Sequence, residues 1–465
     1  MNGIAAVNDI IRSRMVLGLI LLLVVVSTHL WHWFYLDPYD LKRWLMLLTV
    51  FPVFVLSPWV GSPSKTTINL AVLGIALFFF SSIFTLLLHE RWQDYNVYVV
   101  NHLILALYVW SFSRVGLVLS KRELQSWLFA IAAVFIVLAS LRAGIRLTYL
   151  DENWSNFYSL RVGFNNPRFL NQVQVWLTPF LCFWLLDSAR NMADKFVSIL
   201  ILSLSFSLLL LTEARGAIVA SVCSFLTLMF FLRGNNRRVL ALGLIASVLC
   251  ALLIFWLVTM FSGILEADEL VVGSIERASN GRLLMWSETW PRVFDNPLFG
   301  HGFGYWSTYP FITHTNAHVH NFPLELLYGV GFVGTLGLAI ALGCVALSSI
   351  KRAHHAQNIE NVLNLALLSS LVGGLVLSLV SGVYMTPLSQ LFGTLTVGLL
   401  VSETAKSKRN VPIAIPIPFK VVMFAVIILL SNHMSGNRVN PNTGKQYIGL
   451  WVGTEPKEYW PGRLF

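Results

Sequence analysis

Apolar runs long enough to cross a bilayer recur along this chain, separated by short polar breaks. They fall at residues 15–34, 43–60, 68–88, 97–118, 124–147, 173–187, 196–212, 214–232, 239–261, 323–350, 361–384 and 387–402. A helix needs roughly 20 residues to traverse the hydrocarbon, and backbone polar groups find no water there, so helices rather than open strands are required. The pattern predicts an all-α integral membrane protein of about 12 transmembrane helices. A shorter run at 419–431 fits either a thirteenth span or a segment lying in the interface. Four regions follow: a nine-helix bundle over 1–261, a polar insertion at 262–322, further helices over 323–431 and a polar tail at 432–465.

Composition supports this division. Charged residues make up only 12% of the chain, against about 25% in soluble domains, and hydrophobic residues 56%. All four cysteines, Cys182, Cys223, Cys250 and Cys344, lie in apolar runs, so a disulfide framework is not expected. The run from Met15 to Phe34 lacks a small-residue cleavage site and reads as a span rather than a cleaved signal.

The basic excess, 32 Lys and Arg against 22 Asp and Glu, maps to alternate loops. Arg12, Arg14, Lys65, Arg114, Lys121, Arg122, Arg190, Lys195, Arg233, Arg237, Arg238, Lys351, Arg352, Lys406, Lys408 and Arg409 fall on one side, which the positive-inside rule makes cytoplasmic. Segments 35–42, 88–96, 148–172, 213–215 and 262–322 then face outward, which in a bacterial inner membrane is the periplasm. Two of these break the rule. Segment 142–172 carries Arg142, Arg146, Arg161 and Arg168, and 262–322 carries Arg277, Arg282 and Arg292, while Arg215 sits at an outside helix junction. Translocated arginines oppose the topology signal, and an anionic ligand at the outer face would account for them. Loop solvation and lipid head-group contact are the plainer explanation.

Insertion 262–322 is rich in aromatics and turn residues. Arg282 to Trp290 can form a helix with Leu283, Trp286 and Trp290 at helical spacing, and Asn296-Pro297 and the following glycines mark tight turns. Four histidines follow: His301, His314, His318 and His320. Zinc would want about three or four His, Cys or carboxylate ligands. His314, His318 and His320 could supply three, although the loop holds no Cys and few carboxylates. The other reading is one catalytic histidine, His320, standing where the loop re-enters a membrane helix.

The stretch Asn280-Gly281-Arg282, with Trp286, Asn296-Pro297, Gly300, Gly302 and Gly304, resembles the periplasmic loop of the O-antigen ligase and polymerase superfamily. His320-Asn321, followed by Gly331 and Gly334, is similar to the His-Asn motif of lipopolysaccharide O-antigen ligases. Thr212-Glu213-Ala214-Arg215-Gly216-Ala217 resembles the family's Arg-Gly element, with Ala214 where Ser is usual. Gly163-Phe164 and Asn171-Gln172 resemble an earlier outside loop. These motifs cover about a third of the chain.

The resemblance implies transfer of O-polysaccharide from undecaprenyl pyrophosphate to a sugar hydroxyl of lipid A–core. It implies a metal-independent, inverting reaction without a cofactor, on a membrane glycosyltransferase fold of the large lipid-linked (GT-C-like) type. Guanidinium groups suit the departing pyrophosphate, because their fork donates two charge-assisted hydrogen bonds. Arg215 and Arg282 are the expected pair, with Arg168, Asn280, Asn321 and Trp286 grouped around them as substrate-binding residues. A neutral His320 matches the need for a base near neutral pH, and Asn321 reads as positional. An O-antigen polymerase and a protein O-oligosaccharyltransferase are rival enzymes. A transporter of polyprenyl-linked sugar would show midplane charges or an internal repeat, which the pattern lacks. No nucleic-acid partner is expected.

The topology has a direct test. Cysteines introduced at 307 should react with an impermeant reagent outside whole cells and those at 237 should not; the reverse result would invert the topology.

Overall fold

A computed structural model describes residues 3–29, 38–58, 65–88, 92–148, 164, 166–262, 281–303, 306, 318–355, 362–405, 437–439 and 446–448. The helices run α1 (Gly3–His29), α2 (Pro38–Leu56), α3 (Lys65–Leu88), α4 (Trp92–Val118), α5 (Lys121–Thr148), α6 (Pro167–Leu177), α7 (Phe183–Leu186), α8 (Met192–Leu211), α9 (Arg215–Phe231) and α10 (Gly234–Ser262). After the insertion begins come α11 (Arg282–Val293), α12 (Phe322–His355), α13 (Val362–Ser378) and α14 (Pro387–Ala405). Each of the twelve predicted apolar runs falls on a helix, with α6 and α7 sharing one. Among the described residues seven helices are long and apolar enough to cross a membrane: Ala6–Thr28, Tyr98–Val118, Lys121–Leu147, Pro167–Leu186, Met192–Leu211, Gly234–Phe261 and Phe322–His354. The chain is a multi-pass membrane protein. The run at 419–431 lies outside the described residues.

One departure from all-α is a small antiparallel ribbon, β1 (Asn437–Val439) with β2 (Gln446–Ile448). The sequence between them, Asn440-Pro441-Asn442-Thr443-Gly444, is turn chemistry. The four cysteines are free.

Two of the helix ends that differ from the hydropathy reading lie near the site. Helix α6 starts at Pro167, six residues before the predicted 173, because Asn166 caps it by accepting the Arg168 N–H at 2.9 Å and Pro167 opens the first turn. The polar residues Asn171, Gln172 and Gln174 are buried against protein, so hydropathy alone cuts this helix short. At the other end, the run predicted over 361–384 stops being helical at Ser378 and turns before α14. Ser381-Gly382 and Pro387, which occupies the first position of α14, supply the break. The turn between carries Ser381, Gly382, Tyr384 and Thr386.

Helices α3 and α12 lie along one another at close range: a Cβ on Gly74 would stand 2.4 Å from the Gly337 carbonyl oxygen. Small residues at such contacts let backbones approach where lipid offers no hydrophobic drive. Helix α12 itself is broken at Gly331, whose backbone is left-handed (φ 63°). A break inside a span frees backbone groups that must find partners. The segment after α11 supplies them. His301 and Gly302 N–H donate to the carbonyls of Tyr328 and Gly329, both at 2.8 Å. On the far side Phe332 and Val333 N–H donate to Pro297 and Leu298 carbonyls, at 2.8 and 3.0 Å. From α3, Ser81 donates to the Val330 carbonyl at 2.6 Å and Thr85 to that of Phe299. His301 locks the segment further, since its ring bonds the Asn296 amide at 3.1 Å and the Arg292 carbonyl at 2.9 Å and stacks on Tyr328.

This seating explains two glycines. A Cβ on Gly331 would lie 2.4 Å from the Leu298 carbonyl carbon, and one on Gly300 2.6 Å from the Gly331 nitrogen, and both residues have positive φ. Gly331→Ala and Gly300→Ala should each cost ~3 kcal/mol or more through combined strain and overpacking. Gly343→Ala, where nothing stands within 4 Å, should be near neutral. Thermal unfolding in detergent would check this, and an unchanged midpoint for Gly331→Ala would refute the seating.

Candidate functional site

Several of the residues that sequence marks as chemical meet at the turn 318–320, just before α12. Asn321 caps that helix, its side-chain oxygen accepting the Leu324 N–H at 3.0 Å. The peptide of Val319, between two histidines, is held at both ends. Its N–H donates to Glu325 Oε2 at 3.0 Å, and its carbonyl accepts the Trp286 indole N–H at 2.9 Å. Helix α11 is thereby docked on the turn, with Met285 and Val293 packed among Trp306, Val319, Leu324 and Tyr328.

His320 adopts a left-handed backbone, φ 56°. Among the described residues, Glu213 (φ 49°) is the other non-glycine in that region, and it lies two positions before Arg215. Such conformations cost of order 1–3 kcal/mol and cluster where geometry serves function. The His320 N–H donates to His318 Nδ1 at 3.2 Å, and the two rings lie 4.0 Å apart. His318 in turn is pressed on Gly382, where a Cβ would come within 2.3 Å of its ring, and stands 5.8 Å from the Tyr384 ring. His320 Nδ1 is buried and without a hydrogen-bond partner.

Electrostatics follow from this placement. Burial lowers the pKa of His318 to about 4, assisted by the nearby Arg282 guanidinium. Burial likewise holds His320 well below the ordinary imidazole value of 6.5, assisted by His318, Arg282 and Arg168. Arg168 comes from the first turn of α6 and Arg282 opens α11 after Gly281 (φ 73°), so two arginines from distant sequence bracket one histidine. Both histidines are therefore neutral at neutral pH.

The turn after α13 forms the floor. Gln172 donates to Ser381 Oγ at 2.9 Å and accepts from Thr386 at 2.5 Å, while Tyr384 O–H reaches Glu325 Oε2 at 3.5 Å. Buried Arg43 of α2 fixes the same turn, donating to the Met385 carbonyl at 2.7 Å, to Asn101 at 2.8 Å and to Gln390. Arg215 begins α9 at the rim and is exposed. Its neighbour Gly216 packs on Val380, and Thr212 bonds Asn171 at 3.1 Å, which ties that helix start to α6 and to the floor.

Of the predicted site residues, His320, Arg282 and Arg168 are brought together, with Trp286 and Asn321 in supporting contacts and Arg215 at the edge. Asn280 and His314 lie outside the described residues. His318, which the sequence offered as a possible zinc ligand, is the acceptor for the His320 N–H. Glu325, Tyr384 and Arg43 escaped the sequence reading, and Gln172 entered it only through the Asn171-Gln172 resemblance. A charge inside an apolar run, as at Glu325 and Arg43, was the available signal.

Residues 200–339 match the family model described as O-antigen ligase, which supports assigning the chain to that family. Among curated proteins no relative matches.

The clamp on Val319 is testable. Glu325→Leu strands a buried N–H, worth ~1–3 kcal/mol, and should lower both the unfolding midpoint and activity. Glu325→Gln retains an acceptor oxygen and should keep most of both. Equal behaviour of the two variants would show that the carboxylate does not hold the turn.

Proposed function

We propose that this chain, assigned to the O-antigen ligase family, transfers an O-polysaccharide from undecaprenyl pyrophosphate to a sugar hydroxyl of lipid A–core. On this reading the site faces the periplasm of the inner membrane and the helices form about twelve spans of the large lipid-linked glycosyltransferase type. The observation that carries it is a buried, neutral histidine on a strained turn with Arg282 and Arg168 beside it. His320 accepts the proton of the acceptor hydroxyl. The hydroxyl oxygen attacks the anomeric carbon, the bond from that carbon to the pyrophosphate oxygen breaks, and the configuration inverts in one step. Arg282 and Arg168 meet the departing negative charge, with Arg215 contributing from the rim. Partial exclusion of water strengthens their field at the moment it is needed. The low histidine pKa keeps the base unprotonated despite its cationic neighbours.

Purified protein given undecaprenyl-pyrophosphate glycan and rough lipopolysaccharide should build a ladder on the lipopolysaccharide. Product only on lipid-linked glycan would make the enzyme a polymerase. His320→Ala should lower kcat by about 10²–10⁴-fold with little change in donor KM, and His314→Ala should be mild. The acid limb of kcat/KM should lie below pH 6.5, because protonation silences the base and the folded site delays it. Arg282→Ala removes one of the charges depressing the histidine, so in the residual activity that limb should move up towards 6.5. An active His320→Ala would remove the proposed base.

A further inference from the structure

Helix α11 carries two faces. Met285, Thr289 and Val293 are buried against α12 and the 318–320 turn. The opposite face presents Leu283 (48% exposed), Trp290 (52%) and Phe294 (57%) just past the helix end, with Leu298 (58%) on the following loop. Ser287 is the polar residue on that row. A helix with an outward apolar face and no aqueous role for it is characteristic of one lying in a membrane interface.

Depth is set by α12. Its apolar span of 33 residues, Phe322–His354, is about 50 Å long, well beyond the roughly 30 Å of hydrocarbon. Lys351 and Arg352 mark its basic end. Counting back roughly 20 residues from that pair reaches Gly331, so the break in α12 lies at the opposite hydrocarbon boundary. The turns of α12 before it, including Leu324 and Tyr328, stand in the head-group layer. Those are the residues on which α11 packs.

The apolar row also continues into surface that faces lipid. Phe299, next to Leu298, contacts Phe84 of α3 at 4.6 Å and Phe80 at 6.1 Å. Phe80 is half exposed, and with Leu87, Leu88 and Phe332 it belongs to the outward apolar faces of α3 and α12.

We propose that α11 is an interfacial helix whose Leu283–Trp290–Phe294 face, extended by Leu298, is embedded in the acyl–head-group boundary of the leaflet on the side of the 262–322 insertion. Its occupant is bilayer lipid. The helix would then hold Arg282 at head-group level, where a lipid-borne anionic group resides. This placement is independent of the reaction proposed above.

Spin labels decide it. Cys182, Cys223, Cys250 and Cys344 are replaced by Ser, and single cysteines are introduced as Leu283→Cys, Trp290→Cys and Phe294→Cys. Phe332→Cys serves as lipid-facing reference and Asp295→Cys as an exposed polar one. The labelled full chain is reconstituted in phosphatidylethanolamine–phosphatidylglycerol bilayers, and collision with oxygen and with a water-soluble nickel chelate is measured. Oxygen should dominate at 283, 290 and 294 as at 332, and nickel at 295. Nickel dominance at 283 and 290 would overturn the proposal by showing a water-facing helix. Low accessibility to both would overturn it by showing that protein covers the face. Each variant must retain the parent's gel-filtration profile; Leu283→Ser and Trp290→Ser in a labelled Phe294→Cys background should make that site more accessible to nickel if the row acts as one face.

Discussion

The molecule depends on a backbone junction: the 297–302 segment sits in the break of α12 and satisfies the groups the break exposes. A buried peptide group left unpaired at the edge of the hydrocarbon is costly, so neither the broken helix nor the inserted loop is viable alone. Each completes the other. The junction also fixes the end of α11 through His301, which ties Arg292 and Asn296 to Tyr328. The described segment 281–303 thereby becomes a shelf packed on the first turns of α12.

That shelf makes the histidine turn possible. Val319 is gripped by Trp286 from the shelf and by Glu325 from the helix it precedes. The left-handed His320 is flanked by Val319, held at both ends, and by Asn321, which caps α12. The floor is built with the same economy of polar contacts: Arg43, Gln172 and Gln390 all bond the turn between α13 and α14. Cations then approach His320 from α6 and α11, elements more than a hundred residues apart in sequence. Removing any of these supports should disturb the site without touching a reacting atom.

Much was legible before any coordinates. Long apolar runs can be nothing but helices in a bilayer, so the order of the spans followed from pattern alone. Asn296-Pro297 and Gly300 announced tight backbone geometry, since a glycine best accommodates a left-handed conformation together with the close approach found there. His320, Arg282 and Arg168 could be picked out as chemistry-bearing residues on one membrane face. Hydropathy misjudged the start of α6, because a buried glutamine facing protein and a solvated one carry the same index, and the end of α13, because an average over a window passes over the break at Ser381-Gly382.

What the chain alone determined, then, is the set of helices and the residue types available at their outer ends. Local sequence decides these because helix formation, capping and glycine conformation act within a few residues. Only tertiary structure decided that the loop plugs a broken helix, that His318 supports His320, and that Tyr384 reaches Glu325 from another turn. Those relations join positions as far apart as Arg43 and Met385. They arise from the burial of polar groups that must find partners wherever packing brings them, and no short-range pattern encodes which partner that will be.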